Sequence, residues 1–125
     1  MFKKIATALV VILAVSWATP LAASATETIE PRLAIHVDEN DILWVEATLD
    51  AERGELVKIN LRAPSRDGGY ELWQRCSFTY SGPGTYRCGL DVADGSLARK
   101  RVGKWKVGLA SGGEHMDHTS FSMTR

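Results

Sequence analysis

The chain has 125 residues, 45% of them hydrophobic, with 15 basic and 15 acidic side chains and a formal net charge of zero. This length limits the fold to one domain, and the apolar fraction suffices for an ordinary core, which excludes wholesale disorder. The lack of a basic excess argues against a dedicated nucleic-acid binder. Outside the N-terminus no apolar run reaches the length of about 18 residues that a membrane-spanning helix needs. We therefore predict no stable membrane insertion of the mature chain.

The N-terminus has the pattern of a secretory signal peptide. Lys3 and Lys4 precede an apolar run from Ile5 to Trp17, and small residues at 23–25 match the site that signal peptidase cleaves. The run is too short to cross roughly 30 Å of hydrocarbon as a helix. We predict that residues 1–25 are a cleaved signal peptide, 26–31 a short flexible segment and 32–125 the folded domain. The domain would then be periplasmic or secreted.

The mature chain alternates apolar and polar residues with a period of two, which is the pattern of half-buried β-strands. Turn signals rich in Gly, Asp, Asn and Ser separate seven such runs. The pattern predicts an all-β, antiparallel sandwich of about seven strands, with a small closed barrel as the alternative. The alternating apolar positions are Leu33, Ile35 and Val37; Leu43, Val45, Ala47 and Leu49; Val57, Ile59 and Leu61; Leu72, Cys76 and Phe78; Tyr86, Cys88, Leu90 and Val92; Trp105, Val107 and Leu109; and Phe121 with Met123.

Charge is unevenly distributed along the mature chain. Residues 26–60 carry nine acidic and three basic side chains, whereas residues 61–113 carry nine basic and four acidic ones. The simpler interpretation is that the two segments neutralise each other within the fold. The alternative is a dipolar surface that steers a charged partner.

Cys76 and Cys88 flank the turn signal at residues 81–84. If the flanking strands pair antiparallel about this turn, the two cysteines lie opposite each other, with Cα atoms about 4.5 Å apart and within disulfide range. Exported chains with two cysteines usually oxidise them. We predict a Cys76–Cys88 disulfide within a β-hairpin, in which Phe78 and Tyr86 form a cross-strand aromatic pair. The spacing excludes a C-x-x-C redox motif.

The segment His115-Met116-Asp117-His118 is the candidate metal site. Imidazole, thioether and carboxylate groups all bind metals, and His combined with Met favours copper. We expect this segment in a loop before the last strand. His36 occupies an outward position of the first strand, so the three histidines could form one copper or zinc site. The alternative is a solvated polar loop with an accessible methionine.

Trp44 and Trp73 fall opposite the apolar alternation, and Tyr70 is close to Trp73 in sequence. Exposed aromatic side chains on a sheet can stack on sugar rings or anchor a protein partner. These residues are therefore candidates for partner binding. The alternative is that they pack against a loop, a strand edge or a sheet corner.

Arg99, Lys100 and Arg101 form a basic cluster in the loop before the sixth strand. Such a cluster can bind an acidic polysaccharide, a lipid phosphate or an acidic protein. The alternatives are that the three charges are simply solvated, or that they discourage pairing at a strand edge.

Catalytic motifs are missing from the sequence. It contains no G-x-S-x-G elbow, and no Gly-rich loop that follows a strand and opens a helix. Paired carboxylates for glycoside hydrolysis need a cleft that a small sandwich rarely supplies. We predict that the protein is not an enzyme.

Three features near the C-terminus carry a family resemblance. They are Gly84-Thr85-Tyr86-Arg87-Cys88, then Gly103-Lys104-Trp105-Lys106-Val107, then Phe121. With them, residues 84–125 resemble bacterial immunoglobulin-like sandwich domains, which implies that fold and an extracytoplasmic setting. The same ending looks like periplasmic copper-binding sandwich proteins of the copper-resistance type, where His115 and His118 would stand in for the later ligand. Those proteins carry a His at the mature N-terminus, where this chain has Thr26-Glu27.

The sequence thus predicts an exported, non-catalytic immunoglobulin-like binding module with a protein or glycan partner. The alternative is a periplasmic copper- or zinc-binding protein that uses residues 115–118.

Overall fold

The computed structural model describes residues 29–125. The predicted signal peptide and residues 26–28 of the segment predicted to be flexible lie outside the described residues. Seven strands follow in chain order: β1 (Arg32–Val37), β2 (Ile42–Thr48), β3 (Leu56–Pro64), β4 (Tyr70–Thr79), β5 (Tyr86–Asp91), β6 (Gly103–Ser111) and β7 (Glu114–Met123). A short 3-10 helix (Ala98–Lys100) precedes β6. The predicted all-β fold is confirmed. No helix within residues 29–125 is long and apolar enough to cross a membrane.

The strands form two antiparallel sheets that pack as a β-sandwich. One sheet has the order β1-β2-β5 and the other the order β4-β3-β6-β7. The alternating apolar residues of both sheets meet in one core, because a period of two sends every second side chain to the same face. Trp105 is fully buried at its centre, with the Phe121 ring stacked on it at 5.6 Å between centroids.

The predicted cysteine hairpin is wrong, although the predicted disulfide is present. β4 pairs with β3 and β5 pairs with β2, so Cys76 and Cys88 lie in different sheets. Their Cα atoms are 5.8 Å apart, and the bond joins the two sheets along one side of the sandwich. The segment between the strands crosses from sheet to sheet. The same turn residues between two strand patterns occur in a hairpin and in a connection between sheets. Which of the two forms depends on the strands that β4 and β5 pair with elsewhere in the chain. The Phe78 and Tyr86 rings do meet, at 5.7 Å, but across the sandwich.

A β-bulge in β4 reverses the alternation of its side chains, so that the residues before the bulge point to the opposite face from the one predicted. The register with β3 shifts at Trp73, which is the additional residue. Trp73 therefore turns inward and packs edge-on against Trp105, with 5.5 Å between ring centroids. Leu72, expected on the same face as Cys76, lies outward and is 42% exposed. Gln74 faces inward, as expected, and its Nε2 donates a 2.7 Å hydrogen bond to a backbone carbonyl of β5.

Candidate functional site

The outer face of the four-stranded sheet carries positive charge only. Strand register places its side chains opposite the core residues of β3, β4, β6 and β7. None of the outward positions of these four strands carries an acidic residue. We call this surface the basic face, and its cationic and imidazole side chains are Lys58, Arg62, Arg75, Lys104, Lys106, His115 and His118.

The cations of the basic face have no acidic partner within residues 29–125, where the ion pairs involve other arginines. Arg75 Nε donates a 2.6 Å hydrogen bond to Asn60 Oδ1. Lys106 Nζ lies 4.3 Å from the centroid of the Tyr70 ring, a cation–π contact at the rim of the face. Tyr70 is 38% exposed. The face therefore presents positive charge that neighbouring carboxylates do not neutralise.

A bulge in β7 brings two histidines to the basic face. His115 and His118 are three residues apart, so in a regular strand they would point to opposite faces. The register with β6 shifts at Met116, which is the additional residue, and both imidazoles consequently lie outward. His118 Nδ1 and His115 Nε2 are 3.4 Å apart.

The predicted metal ligands are not brought together as a set. Met116 packs against the core, on the side opposite the exposed His115 and His118. His36 is on β1 in the other sheet, and within residues 29–125 no group of three or more His, Cys, Asp or Glu side chains is placed to hold a metal ion. The segment is also part of strand β7 rather than a loop. Only the two histidines of the predicted set share a site.

A depression of about 230 Å³ lies in the middle of the basic face, above Gly108 of the central strand β6. The backbone of Gly108 has no positive φ, and a Cβ atom built there would meet nothing within 4 Å. Neither backbone conformation nor packing requires a glycine here, and its missing side chain leaves the floor open. The polar and charged residues around the depression are Asn60, Arg62, Lys106, His115 and His118.

Trp44, on the outer face of the three-stranded sheet, is held by its own neighbours. Its Nε1 donates a 2.9 Å hydrogen bond to the Asp38 carboxylate, and the Arg87 guanidinium lies 4.2 Å from its ring centroid. The ring covers Gly89 so closely that a Cβ there would be 2.9 Å from Trp44 Cζ3. The bond from Trp44, with further bonds from the Ile42 and Asn40 backbone N–H groups, lowers the pKa of Asp38.

The other predicted binding residues mostly make structural contacts. Arg99 donates hydrogen bonds of 2.6 and 2.7 Å to two backbone carbonyls. Arg101 pairs with Glu71 at 2.9 Å and lies 5.0 Å from the ring centroid of Trp73, whose inward side contacts the core. Lys100 alone of the basic cluster is exposed without such contacts among the described residues.

Sequence reasoning missed the basic face. The available signal was the set of cations that alternate with the apolar residues, as in Lys104, Lys106 and the stretch from Lys58 to Arg62. No strand of the face contributes more than two such side chains. Strand order and register are needed to show that they form one surface.

Comparison of the chain with protein-family models, with curated proteins and with solved structures finds no match.

Proposed function

We propose that the mature protein is an exported, non-catalytic binding module, and that its basic face contacts an anionic protein or glycan outside the cytoplasm. The observation that carries this proposal is the segregation of charge. Five Lys and Arg side chains project from one sheet whose outward positions hold no carboxylate. A surface of one sign attracts partners of the opposite sign and accelerates their encounter.

The extracytoplasmic setting is supported by two independent features. The N-terminal sequence has the pattern of a signal peptide. The Cys76–Cys88 disulfide is of a kind that persists in oxidising compartments and is rare in the cytosol.

An immunoglobulin-like topology is part of the same proposal. Sheets of the order β1-β2-β5 and β4-β3-β6-β7 have the three-plus-four arrangement of such sandwiches. The difference from the constant-type domain concerns the fourth strand. It lies beside the third strand in the larger sheet, whereas the constant type has it beside the fifth.

The opposite outer face supports binding less well. There Arg87 is paired with Glu46 at 3.1 Å, and Trp44 is covered by the same arginine. A partner that used the Trp44 ring would have to displace contacts that already satisfy it. On the basic face, a partner would have to displace no ion pair among the described residues.

The direct test measures binding of the mature protein to dextran sulfate and to polyglutamate by calorimetry at low salt. A triple Lys58→Gln, Lys104→Gln, Lys106→Gln variant is expected to lose affinity at least about tenfold, or roughly 1.4 kcal/mol. The matched control, Arg32→Gln, Arg66→Gln, Lys100→Gln, removes the same charge from exposed positions off the face and should change affinity little. Equal losses in the two triples, or no binding by the parent protein, would contradict the proposal.

A second candidate function, metal binding, is favoured by the two histidines alone. Two imidazole nitrogens bound to one tetrahedral Zn²⁺ at about 2.0–2.1 Å lie about 3.3–3.4 Å apart. The observed separation between His118 Nδ1 and His115 Nε2 is 3.4 Å. With water in the remaining positions, this pair would form a two-residue zinc or copper site.

Calorimetric titration with Zn²⁺ tests this second function. The parent protein should bind one equivalent, and the His115→Ala, His118→Ala double variant should bind none. Met116→Leu is the control, because Met116 lies on the core side and should leave Zn²⁺ affinity unchanged. Identical Zn²⁺ uptake by the double variant would dismiss the site.

A further inference from the structure

We infer that the depression above Gly108 is the primary subsite of the basic face, and that it takes a phosphate- or sulfate-type group carried by a glycan. This inference rests on the proposed function and names the chemistry of the partner. It follows from the placement of donors from three strands around the depression, from like charges without a carboxylate partner among the described residues, and from a glycine that the fold itself does not need.

The donors around the depression come from three neighbouring strands. Arg62 projects from β3, Lys106 from β6, and His115 and His118 from β7. A tetrahedral phosphate or sulfate ester presents three free oxygens, whereas a planar carboxylate presents two. Donors from three strands therefore suit a tetrahedral group. Arg and Lys are the residues that most often bind such oxyanions, Arg through a bidentate fork and Lys as a point charge.

Two of these cations face each other directly. Arg62 and Lys106 are register partners across the β3–β6 ladder, and directly opposite like charges destabilise a sheet. No ion pair within residues 29–125 relieves them. A bound anion between the two side chains would remove this repulsion, which is a reason for placing both cations there.

Gly108 is the residue that opens the subsite. Glycine weakens the interior of a strand, and in such a position it commonly marks the close approach of a ligand or another backbone. Its cross-strand neighbour is His118, yet no atom of that side chain comes within 4 Å of the Cβ position. Ala110, two residues further along the same face, is also small. The floor is therefore kept low along β6.

A tetrahedral group also distinguishes the two partner classes. Unmodified proteins carry negative charge only as carboxylates, whereas glycans also carry sulfate and phosphate esters. The set of donors on three strands therefore favours a sulfated or phosphorylated glycan over an acidic protein.

The experiment fills the floor of the depression without removing any charge. Gly108→Ala and Gly108→Val are compared with the parent protein and with Ala34→Val, which adds two methyl groups at an exposed position of β1. Since a side chain at 108 meets open space, both variants should retain or raise the melting temperature. Affinity for dextran sulfate should be lower in Gly108→Ala than in the parent protein and lower still in Gly108→Val, where the loss should be about tenfold. A structural defect would instead lower stability and affinity together.

Amide NMR spectra recorded with inorganic phosphate, sulfate and acetate locate the subsite. Phosphate and sulfate should shift signals of residues 106–110 and 115–118, acetate should act more weakly, and Gly108→Val should suppress the shifts. Dextran sulfate should bind more tightly than either polyglutamate or vesicles containing phosphatidylglycerol.

The outcomes separate this inference from the proposed function. Unchanged dextran sulfate binding in Gly108→Val, together with loss in the charge-removed triple, would overturn the subsite and leave the proposed function standing. Equal binding of polyglutamate would replace the glycan by an acidic protein, and vesicle binding alone would replace it by a lipid. If the parent protein bound no polyanion, the proposed function and the subsite would both fall.

Discussion

At the scale of single residues, two glycines on opposite outer faces have different roles. Both Gly89 and Gly108 lie in strands without a positive φ. At Gly89 a Cβ would collide with the Trp44 ring, whereas at Gly108 it would meet open space. The first glycine therefore serves packing, and the second leaves an accessible surface.

Gly89→Ala should destabilise the fold by about 1–3 kcal/mol, because the added methyl group meets an indole that Asp38 and Arg87 hold in place. The free energy of unfolding from urea titration measures this effect. Gly108→Ala is the matched control and should be neutral or stabilising by up to about 1 kcal/mol. Similar values for the two substitutions would show that Trp44 moves freely.

Asp38 should make folding stability depend on acidity. The hydrogen bond from Trp44, followed by the backbone bond from Ile42, lowers the pKa of Asp38 in the folded state below 3.8. The ionised Asp38 carboxylate therefore contributes its full stabilisation above the pKa that Asp38 has in the unfolded chain. This stabilisation is lost as the pH falls through the lower pKa of the folded state. Unfolding free energies of the parent protein and Asp38→Asn should differ near neutral pH and converge under acid conditions. A constant difference across that range would contradict the prediction.

At the scale of elements, irregular pairing decides which side chains can meet. The bulge at Met116 puts His115 and His118 on one face, and the bulge at Trp73 turns that indole toward the core. Each bulge adds one residue to a period of two and so changes the faces of the residues on one side of it. The disulfide acts at the same scale, because it ties an edge strand of one sheet to an edge strand of the other.

Replacing both cysteines by alanine should lower the free energy of unfolding by about 3 kcal/mol, the chain-entropy value for a loop of this size. Because the bond joins two sheets, hydrogen exchange should accelerate in β4 and β5 more than in β2 and β3. The sheet-forming core should remain, since its pairing partners are unchanged. Uniform acceleration across all strands would indicate that the bond stabilises the fold globally instead.

At the scale of the whole molecule, the two charged segments of the chain remain largely separate. Of the ion pairs within residues 29–125, only Arg87–Glu46 joins the acidic segment to the basic one. Carboxylates instead gather around a depression of about 480 Å³ near the β2–β3 connection and the β6–β7 turn. Their residues are Asp50, Glu52, Glu55 and Glu114. The arrangement matches the dipolar interpretation of the sequence better than internal neutralisation.

Binding through the basic face should therefore depend steeply on salt. Binding releases counterions from a polyanion, and added salt opposes this release. Raising the salt concentration from about 50 to about 200 mM should therefore reduce affinity for dextran sulfate at least about tenfold. Each cation removed from the face should lower the logarithmic slope by about one. Lys100→Gln, which lies off the face, should leave the slope unchanged. Salt-independent binding would instead point to apolar contacts.

The strand pattern could be predicted because it depends on residues that are close together in sequence. The disulfide partners could be predicted because the chain has only two cysteines. Period-two alternation reports burial along one strand, as at Val57, Ile59 and Leu61, and two cysteines allow a single intramolecular bond. The bulges at Trp73 and Met116 were not open to prediction. Each bulge is defined by pairing with a neighbouring strand, β3 or β6. The residues around each bulge carry no pattern that indicates it.

By itself the sequence determined an all-β chain, an apolar core of alternating residues and the Cys76–Cys88 bond. Only the tertiary structure decided that this bond joins two sheets and that Met116 packs on the core side, away from the histidine pair. It also decided that cations from three strands and two histidines from a fourth form one face around Gly108. The reason is that side-chain alternation is a property of each strand alone. Strand order and register arise from contacts between residues far apart in the chain.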